Sequence, residues 1–234
     1  VEYGYPIKFP SIEVLTIGAG GGSLAWIDVA GSLRNGPQSA GSAPGPACDW
    51  RGGADPTNSD ANVILGRLGT SLAGGEVDLD PALAEAAIET AVAGPLGMSV
   101  EEAAIAILKV ANANMADAVR LVSIRKGHDP RDFALVAFGG AGALHGAALA
   151  RDLGIPTVLI PPNPGVTSAL GCLLVDITHD ISQMYLRSTA SADVADIDDM
   201  SPGINEMGEI EDAVGLGIDS GTVHRVDYLD GSAS

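Results

Sequence analysis

The chain has 234 residues, 46% of them hydrophobic but only 4% aromatic, with mean hydropathy +0.25, so a sizeable core has to be built from Ala, Val, Ile and Leu. Its 12 basic and 30 acidic residues give a net charge of −18, which argues against nucleic acid or an anionic membrane as a general partner, because little here would displace counterions. No apolar run reaches the ~20 residues needed to span a bilayer, and Cys48 and Cys172 show no CxxC or zinc-ribbon spacing, which fits a reducing cytoplasm.

The chain opens with Val1-Glu2-Tyr3, without an initiating Met or a signal-peptide pattern, and reads as the interior of a longer protein. Residues 12–17 form a short apolar run, Gly18 to Ser23 a glycine-rich turn, and Leu24 to Val29 a second apolar run. Strand, turn and strand predict a β-hairpin with a glycine-rich tip. Residues 31–60 are rich in Gly, Pro, Ser, Ala and Asp and predict a long loop. Helices are expected from Asp60 to Leu68 and from Asp80 to Leu96.

Ser99 and Glu102 have the spacing of a capping box. They open a helix with Ala103, Ile107, Val110 and Met115 at helical spacing, ended by Gly127. The continuous apolar run Phe133–Phe138 predicts a strand buried on both faces. A short helix from His145 to Leu153, a strand from Thr157 to Ile160 and a last helical segment from Pro164 to Val175 follow. From Ser188 onward large apolar residues thin out and acidic residues meet a single basic one, Arg225, so 188–234 reads as a weakly ordered or partner-dependent tail after a 1–187 domain. Strands alternating with helices place the chain in the α/β class.

Two glycine clusters carry the chemistry. One is Gly18, Gly20, Gly21, Gly22 and Ser23; the other is Gly139, Gly140, Ala141 and Gly142, after a strand and before a helix. Both let backbone amides approach an anion without side-chain obstruction, and the second adds a helix N-terminus. Neither is a P-loop or a dinucleotide fingerprint: no Gly-Lys-Ser/Thr is present, and the G-x-G-x-x-G positions end in Ser23 and His145. Taken singly, each cluster also suits a structural turn; their joint placement favours a ligand.

Single residues offer paired readings. Ser23 suits a phosphate contact or a turn-stabilising bond. Asp28 suits a metal or an exposed strand carboxylate. Asp60 suits catalysis, a metal or an N-cap. His145 suits a substrate or metal contact or a packed helix start. Cys48 lacks a nearby base and reads as structural. His179 and Asp180 are adjacent, a poor arrangement for sharing a metal. Asn112 and Asn114 lie inside a helix, where Asn is unfavourable, and suit polar packing or a ligand contact.

The order of the two clusters resembles the second lobe of the actin, hexokinase and Hsp70 ATPases. There a glycine-rich hairpin meets the β- and γ-phosphates and a strand ending in Gly-Gly meets the adenosine side. A closer resemblance is to the hydantoinase A family. It rests on Thr16-Ile17-Gly18-Ala19-Gly20-Gly21-Gly22-Ser23, Gly36-Pro37-Gln38-Ser39-Ala40-Gly41 and Pro44-Gly45-Pro46-Ala47-Cys48. It continues through Asp60-Ala61-Asn62, Ala113-Asn114-Met115-Ala116, Asp129-Pro130-Arg131-Asp132-Phe133, Phe138-Gly139-Gly140-Ala141-Gly142 and Ser168-Ala169-Leu170-Gly171. The motifs run in order from residue 10 to about residue 180.

That family holds N-methylhydantoinases, 5-oxoprolinases, a caprolactam-opening enzyme and the acetone and acetophenone carboxylases. The resemblance implies an actin- and Hsp70-like (ribonuclease H-like) lobe with a mixed sheet flanked by helices. It implies ATP, and Mg²⁺ or another divalent metal, as cofactors. It also implies phosphorylation of a carbonyl or enolate oxygen, then ring opening or carboxylation. The family's preceding lobe, with its acidic phosphate loop, has no counterpart in this chain. A complementary N-terminal lobe or subunit is therefore expected, with a hydantoinase B-like subunit and a small-molecule substrate. A non-catalytic subunit completing a partner's nucleotide cleft is the alternative. The chain departs from the family at Ala143, where Pro is usual, and at Asp49, where Tyr is usual.

Overall fold

A computed structural model describes residues 14–72, 75 and 77–174. Residues 14–170 belong to one compact unit. The tail expected at 188–234, His179 and Asp180 lie outside the described residues.

The first antiparallel pair joins β1 (Ser23–Ile27) to β2 (Leu33–Ser39), with Ala25 opposite Asn35. This corrects the expected hairpin. The turn between the strands is Asp28–Ser32, tied by the Asp28 carboxylate accepting from the amides of Ala30 and Ser32, both at 2.9 Å. The glycine cluster lies ahead of β1, and residues 14–19 form no strand. The long loop expected over 31–60 also loses its first part to β2.

The helix α1 (Asn58–Ile64) has Thr57 as N-cap and Asp60 at the third position, closing a capping box: Asp60 is not the cap itself. Short strands β3 (Ser71–Leu72) and β4 (Val77–Asp78) pair antiparallel. Asp80 caps α2 (Pro81–Ile88), which passes through a π-helical turn at Glu89–Ala93 into α3 (Gly94–Leu96). Pro95 has no amide to donate and sits just beyond this widened turn. Gly97, at φ +65°, ends the run.

The long helix α4 (Val100–Val122) opens at the expected capping box, with Glu102 Oε2 accepting from Ser99 N at 2.9 Å and Ser99 Oγ accepting from Glu102 N at 3.2 Å. Gly127 ends the turn Ile124–Lys126 that follows. The crossover of β5 (Ala134–Val136), α5 (Gly142–Leu153) and β6 (Thr157–Leu159) forms a parallel βαβ unit. The last helix is α6 (Thr167–Leu174).

Small residues build the core, as the composition required. Ala25, Ala61, Ile88, Val92, Ala103, Ala104, Ile107 and Leu108 form one cluster. Ala116, Leu149, Ala150, Leu153 and Ile155 form a second, against which Leu135 and Val158 pack. The helix α4 contributes to both. The expected mixed sheet is replaced, among the described residues, by three separate two-stranded sheets.

Nor is the β5–β6 pair buried on both faces. Leu135 and Val158 point inward, whereas Val136 and Leu159 are about half exposed, at 51% and 52%. Side chains alternate across a strand, and α5 packs on this two-stranded sheet. No single helix among the described residues is long and apolar enough to cross a membrane.

The approach of α5 to the β5–β6 sheet depends on Gly146. A Cβ there would lie 3.0 Å from Ala137 Cβ and 3.2 Å from Val158 Cγ1. Replacing Gly146 with Leu forces a full side chain into that contact and is expected to cost about 1–3 kcal/mol of stability, read by urea denaturation.

Candidate functional site

The glycine turn ahead of β1 has its carbonyls turned into the protein. Ser23 Oγ donates to Gly18 O at 3.2 Å, and Asn58 Nδ2 donates to Gly20 O at 2.8 Å. The amide of Ser59 donates to Gly21 O at 2.8 Å, and that of Ala40 to Gly22 O at 2.9 Å. With the carbonyls held inward, the amides of Gly21 and Gly22 donate to no acceptor among the described residues.

Gly139, at φ +89°, adopts a backbone shape that favours glycine, and its amide donates to Pro164 O at 2.7 Å. The amides of Gly140 and Ala141 have no acceptor among the described residues. Nothing lies within 4 Å of the position a Cβ would take at Gly20, Gly139 or Gly140.

The two clusters meet. A Cβ at Gly21 would lie 4.0 Å from Ala141 Cβ, which is van der Waals contact. The two glycine turns therefore lie near one another, one before β1 and the other before α5. A cleft of about 420 Å³ adjoins the first and is lined by Leu15, Thr16, Ile17, Gly20, Pro37 and Ser39 among others. Such a pair of amide-lined turns suits an extended anion with several oxygens.

The other candidates fall elsewhere. Ser23 is 2% exposed, and its hydroxyl accepts from Gly20 N at 2.9 Å while donating its one proton to Gly18 O. Its geometry is that of a turn-stabilising residue. Asp28 sits beyond the far end of β1, roughly 17 Å from the glycine turn at the ordinary rise of a strand. Its carboxylate faces Arg34 Nε at 2.7 Å. Bonds from the Ser32 amide and then from Arg34 hold its pKa below the usual carboxylate value. No His, Cys, Asp and Glu cluster able to hold a metal occurs among the described residues. The metal role expected of Asp28 therefore has no support in its surroundings.

Asp60 is fully buried. It accepts from Thr57 Oγ1 at 2.7 Å, from the amides of Thr57 and Cys48 at 2.8 Å each, and from the Ala47 amide at 3.4 Å. These bonds occupy the carboxylate's acceptor sites, so Asp60 anchors the 47–48 turn to α1 and does not face the cleft. Cys48 lies against it. Burial, and then the Asp60 charge, push the Cys48 thiol well above its ordinary pKa, which keeps it protonated and unreactive.

His145, in the first turn of α5, is 3% exposed and places Nδ1 2.7 Å from Asn112 Oδ1 on α4. Burial, and then the Arg67 charge, lower its pKa, which favours neutral imidazole. With Asn112 Oδ1 as acceptor the proton sits on Nδ1; Nε2 is buried and has no hydrogen-bond partner among the described residues. His145 lies beneath the glycine bend, and a direct substrate contact is not open to it in this conformation.

Sequence reasoning missed the residues that hold the first turn. Asn58 is fully buried, and Asn35 is 8% exposed. Asn35 Nδ2 donates to Asn58 Oδ1 at 2.7 Å, and Asn114 Nδ2 donates to Asn35 O at 3.0 Å. The unfavourable placement of Asn112 and Asn114 inside a helix was the available signal, and both prove to make polar contacts.

These features describe an α/β domain that presents main-chain donors on two adjacent glycine turns. The family model described as hydantoinase/oxoprolinase matches residues 1–181, and the chain belongs to that family. It is 47% identical to the caprolactamase subunit alpha of Pseudomonas jessenii over 177 residues, which is 75% of this chain and 25% of that protein. It is 41% identical to the acetophenone carboxylase gamma subunit of Aromatoleum aromaticum over 179 residues, 76% of this chain and 24% of that one. The crystal structure of the ATP-dependent caprolactamase from Pseudomonas jessenii matches with a TM-score of 0.66 and 39% identity, covering 86% of this chain and 30% of that one. The chain thus spans about a quarter of the length of these two curated relatives.

Two measurements check the assignments of Asp60 and Cys48. Replacing Asp60 with Ala leaves buried amides without an acceptor and is expected to cost about 3 kcal/mol, read by denaturant unfolding. Alkylation of the native protein should label the exposed Cys172 and spare Cys48 until the chain is unfolded, read by mass spectrometry.

Proposed function

We propose that this chain supplies one side of the nucleotide site of an ATP-dependent enzyme that activates a cyclic amide for ring opening. The supporting observation is the nearness of the glycine turn to the bend before α5, with the amides of Gly21, Gly22, Gly140 and Ala141 donating to no acceptor among the described residues. The relatives' names supply the chemical class, ATP-dependent lactam opening. In this reading the chain is part of an actin-like ATPase lobe, and a complementary lobe or subunit faces it across the nucleotide. A hydantoinase B-like subunit is the further partner. The free thiols of Cys48 and Cys172 fit a cytoplasmic setting.

The chemistry follows from the poor electrophilicity of an amide. Transfer of the γ-phosphoryl group to the carbonyl oxygen releases ADP and makes that oxygen a leaving group. Water then adds to the carbon, the C–N bond breaks to free the ring nitrogen as an amine and leave an acyl phosphate, and a second water splits that acyl phosphate into carboxylate and phosphate. This chain's part is to hold the polyphosphate in line with the substrate oxygen. Gly21 and Gly22 would meet the β- and γ-phosphates, and Gly140 and Ala141 the nucleoside side. Gly18 and Ser23 would shape the first turn, and Gly20, Gly139 and Gly142 would leave room for the ligand. Mg²⁺, or another divalent metal, would be held by the phosphates and by residues outside the described part of this chain. It would neutralise phosphate charge.

A second reading, phosphorylation of an enolate for ketone carboxylation, rests on the likeness to the acetophenone carboxylase subunit. Release of ADP that depends on a lactam, hydantoin or oxoproline supports the first reading. Release that depends on bicarbonate and a ketone supports the second.

Gly20→Val tests the site cleanly. Gly20 has no positive φ and no neighbour within 4 Å of its Cβ position, so the added side chain meets ligand and not protein. Mg-ATP at 100 times its dissociation constant should stabilise the wild-type protein by ~2.7 kcal/mol. The variant should keep the ligand-free melting temperature and lose about tenfold or more in Mg-ATP affinity, ~1.4 kcal/mol. Unchanged affinity would remove the glycine turn from the nucleotide site.

A further inference from the structure

We propose that Asn58 is a positioning residue for the polyphosphate: it fixes the peptide between Gly20 and Gly21 with its carbonyl inward and its amide toward the ligand. The inference rests on the nucleotide reading given above and names a residue that the reading does not itself require.

A peptide flanked by two glycines rotates at little steric cost, because neither residue has a Cβ to clash with a carbonyl. Its two orientations have opposite consequences. In the one observed, Gly20 O faces the interior and the Gly21 amide is free. In the flipped one, Gly20 O would face the phosphate and repel it, and the Gly21 amide would be turned away. Some interaction has to choose between them.

Asn58 makes that choice. Its Nδ2 donates to Gly20 O at 2.8 Å, the shorter of two bonds on that oxygen; the other comes from Ser23 N at 3.2 Å. An Asn side chain presents a donor at one end and an acceptor at the other, so its own orientation has to be set. Asn35 sets it by donating from Nδ2 to Asn58 Oδ1 at 2.7 Å. Asn35 is placed by β2 and by Asn114 Nδ2, which donates to Asn35 O at 3.0 Å. The next peptide is held in the same sense by the Ser59 amide on Gly21 O. The chain of donors runs from α4 through β2 and α1 to the glycine turn, and its central Asn35–Asn58 bond is buried, where such a bond is strengthened.

The test uses the assembled enzyme with Mg-ATP and three variants. Asn58→Asp keeps size and keeps the acceptor for Asn35, but its carboxylate cannot donate to Gly20 O and instead attracts the Gly21 amide. Asn58→Ala removes both ends. Asn58→Asp is expected to raise the Kd and KM for ATP by about tenfold or more, with a smaller rise for Asn58→Ala and kcat at saturating ATP held within about threefold. Relative to wild type at the same pH, the affinity of the Asp variant should recover as pH falls, because a protonated carboxyl regains an O–H for Gly20 O.

The opposite ranking, with Ala worse than Asp and no recovery at low pH, is what a space-filling role gives, and it would overturn the proposal. Should the Asp variant not fold, Asn58→Ala decides alone, and an affinity within about twofold of wild type overturns it. Gly20→Val separates the two levels: if it loses ATP while both Asn58 variants bind normally, only the role of Asn58 falls. If Gly20→Val itself binds normally, the nucleotide reading falls with it.

Discussion

The first turn of α1 ties together the segments around the first glycine turn. A helix start leaves several amides without intrahelical partners, and these normally go to caps or water. Here the residues from Pro56 to Asp60 are almost all buried and turned to other segments. The Pro56 carbonyl accepts from Ala25 N, the Asn58 side chain and the Ser59 amide take the glycine turn's carbonyls, and Asp60 gathers the amides of Ala47 and Cys48. The segments joined in this way are rich in Gly and Pro and bring few side chains to a core. Their ordering entropy is therefore offset by buried polar bonds more than by apolar area.

The helix α4 does the equivalent at larger scale. Its N-terminal half packs in the first apolar cluster through Ala103, Ala104 and Ile107, and Ala116 carries it into the second. Between them lie Asn112 and Asn114. Two positions apart on a helix they point about 200° from one another. Asn114 reaches β2 on one side, and Asn112 meets His145 under the other glycine bend. A single rigid element thus fixes the supports of both turns, and the alanine-rich packing around it sets how near they come.

How far the sequence foretold this depended on range. Features written within four or five residues were legible. Ser99 and Glu102 announced the start of α4 and Asp80 the start of α2, whereas Gly127 ends the turn after α4, which itself stops at Val122. Features that need a distant partner were not. The apolar run before Gly18 suggested a strand, yet β1 pairs with β2, and the glycine turn merely precedes it. Asp60 looked like a cap because its true cap, Thr57, completes a box with Asp in place of the usual Glu. Asn35 and Asn58 gave no local sign, since their worth lies in each other and in Gly20. The nearness of the two glycine clusters was expected from their order along the chain, and Gly21 lies close to Ala141.

The open donors at Gly21, Gly22, Gly140 and Ala141 belong to the main chain, on a molecule of charge −18. Peptide N–H groups do not titrate in the physiological range, have no rotamers to lose and carry no site for acetylation or methylation. These donors would be the same at pH 6 and pH 8, and no enzyme could loosen their grip by modifying a side chain. Control over such a site has to come from geometry, through whatever shifts α5 against the head of β1.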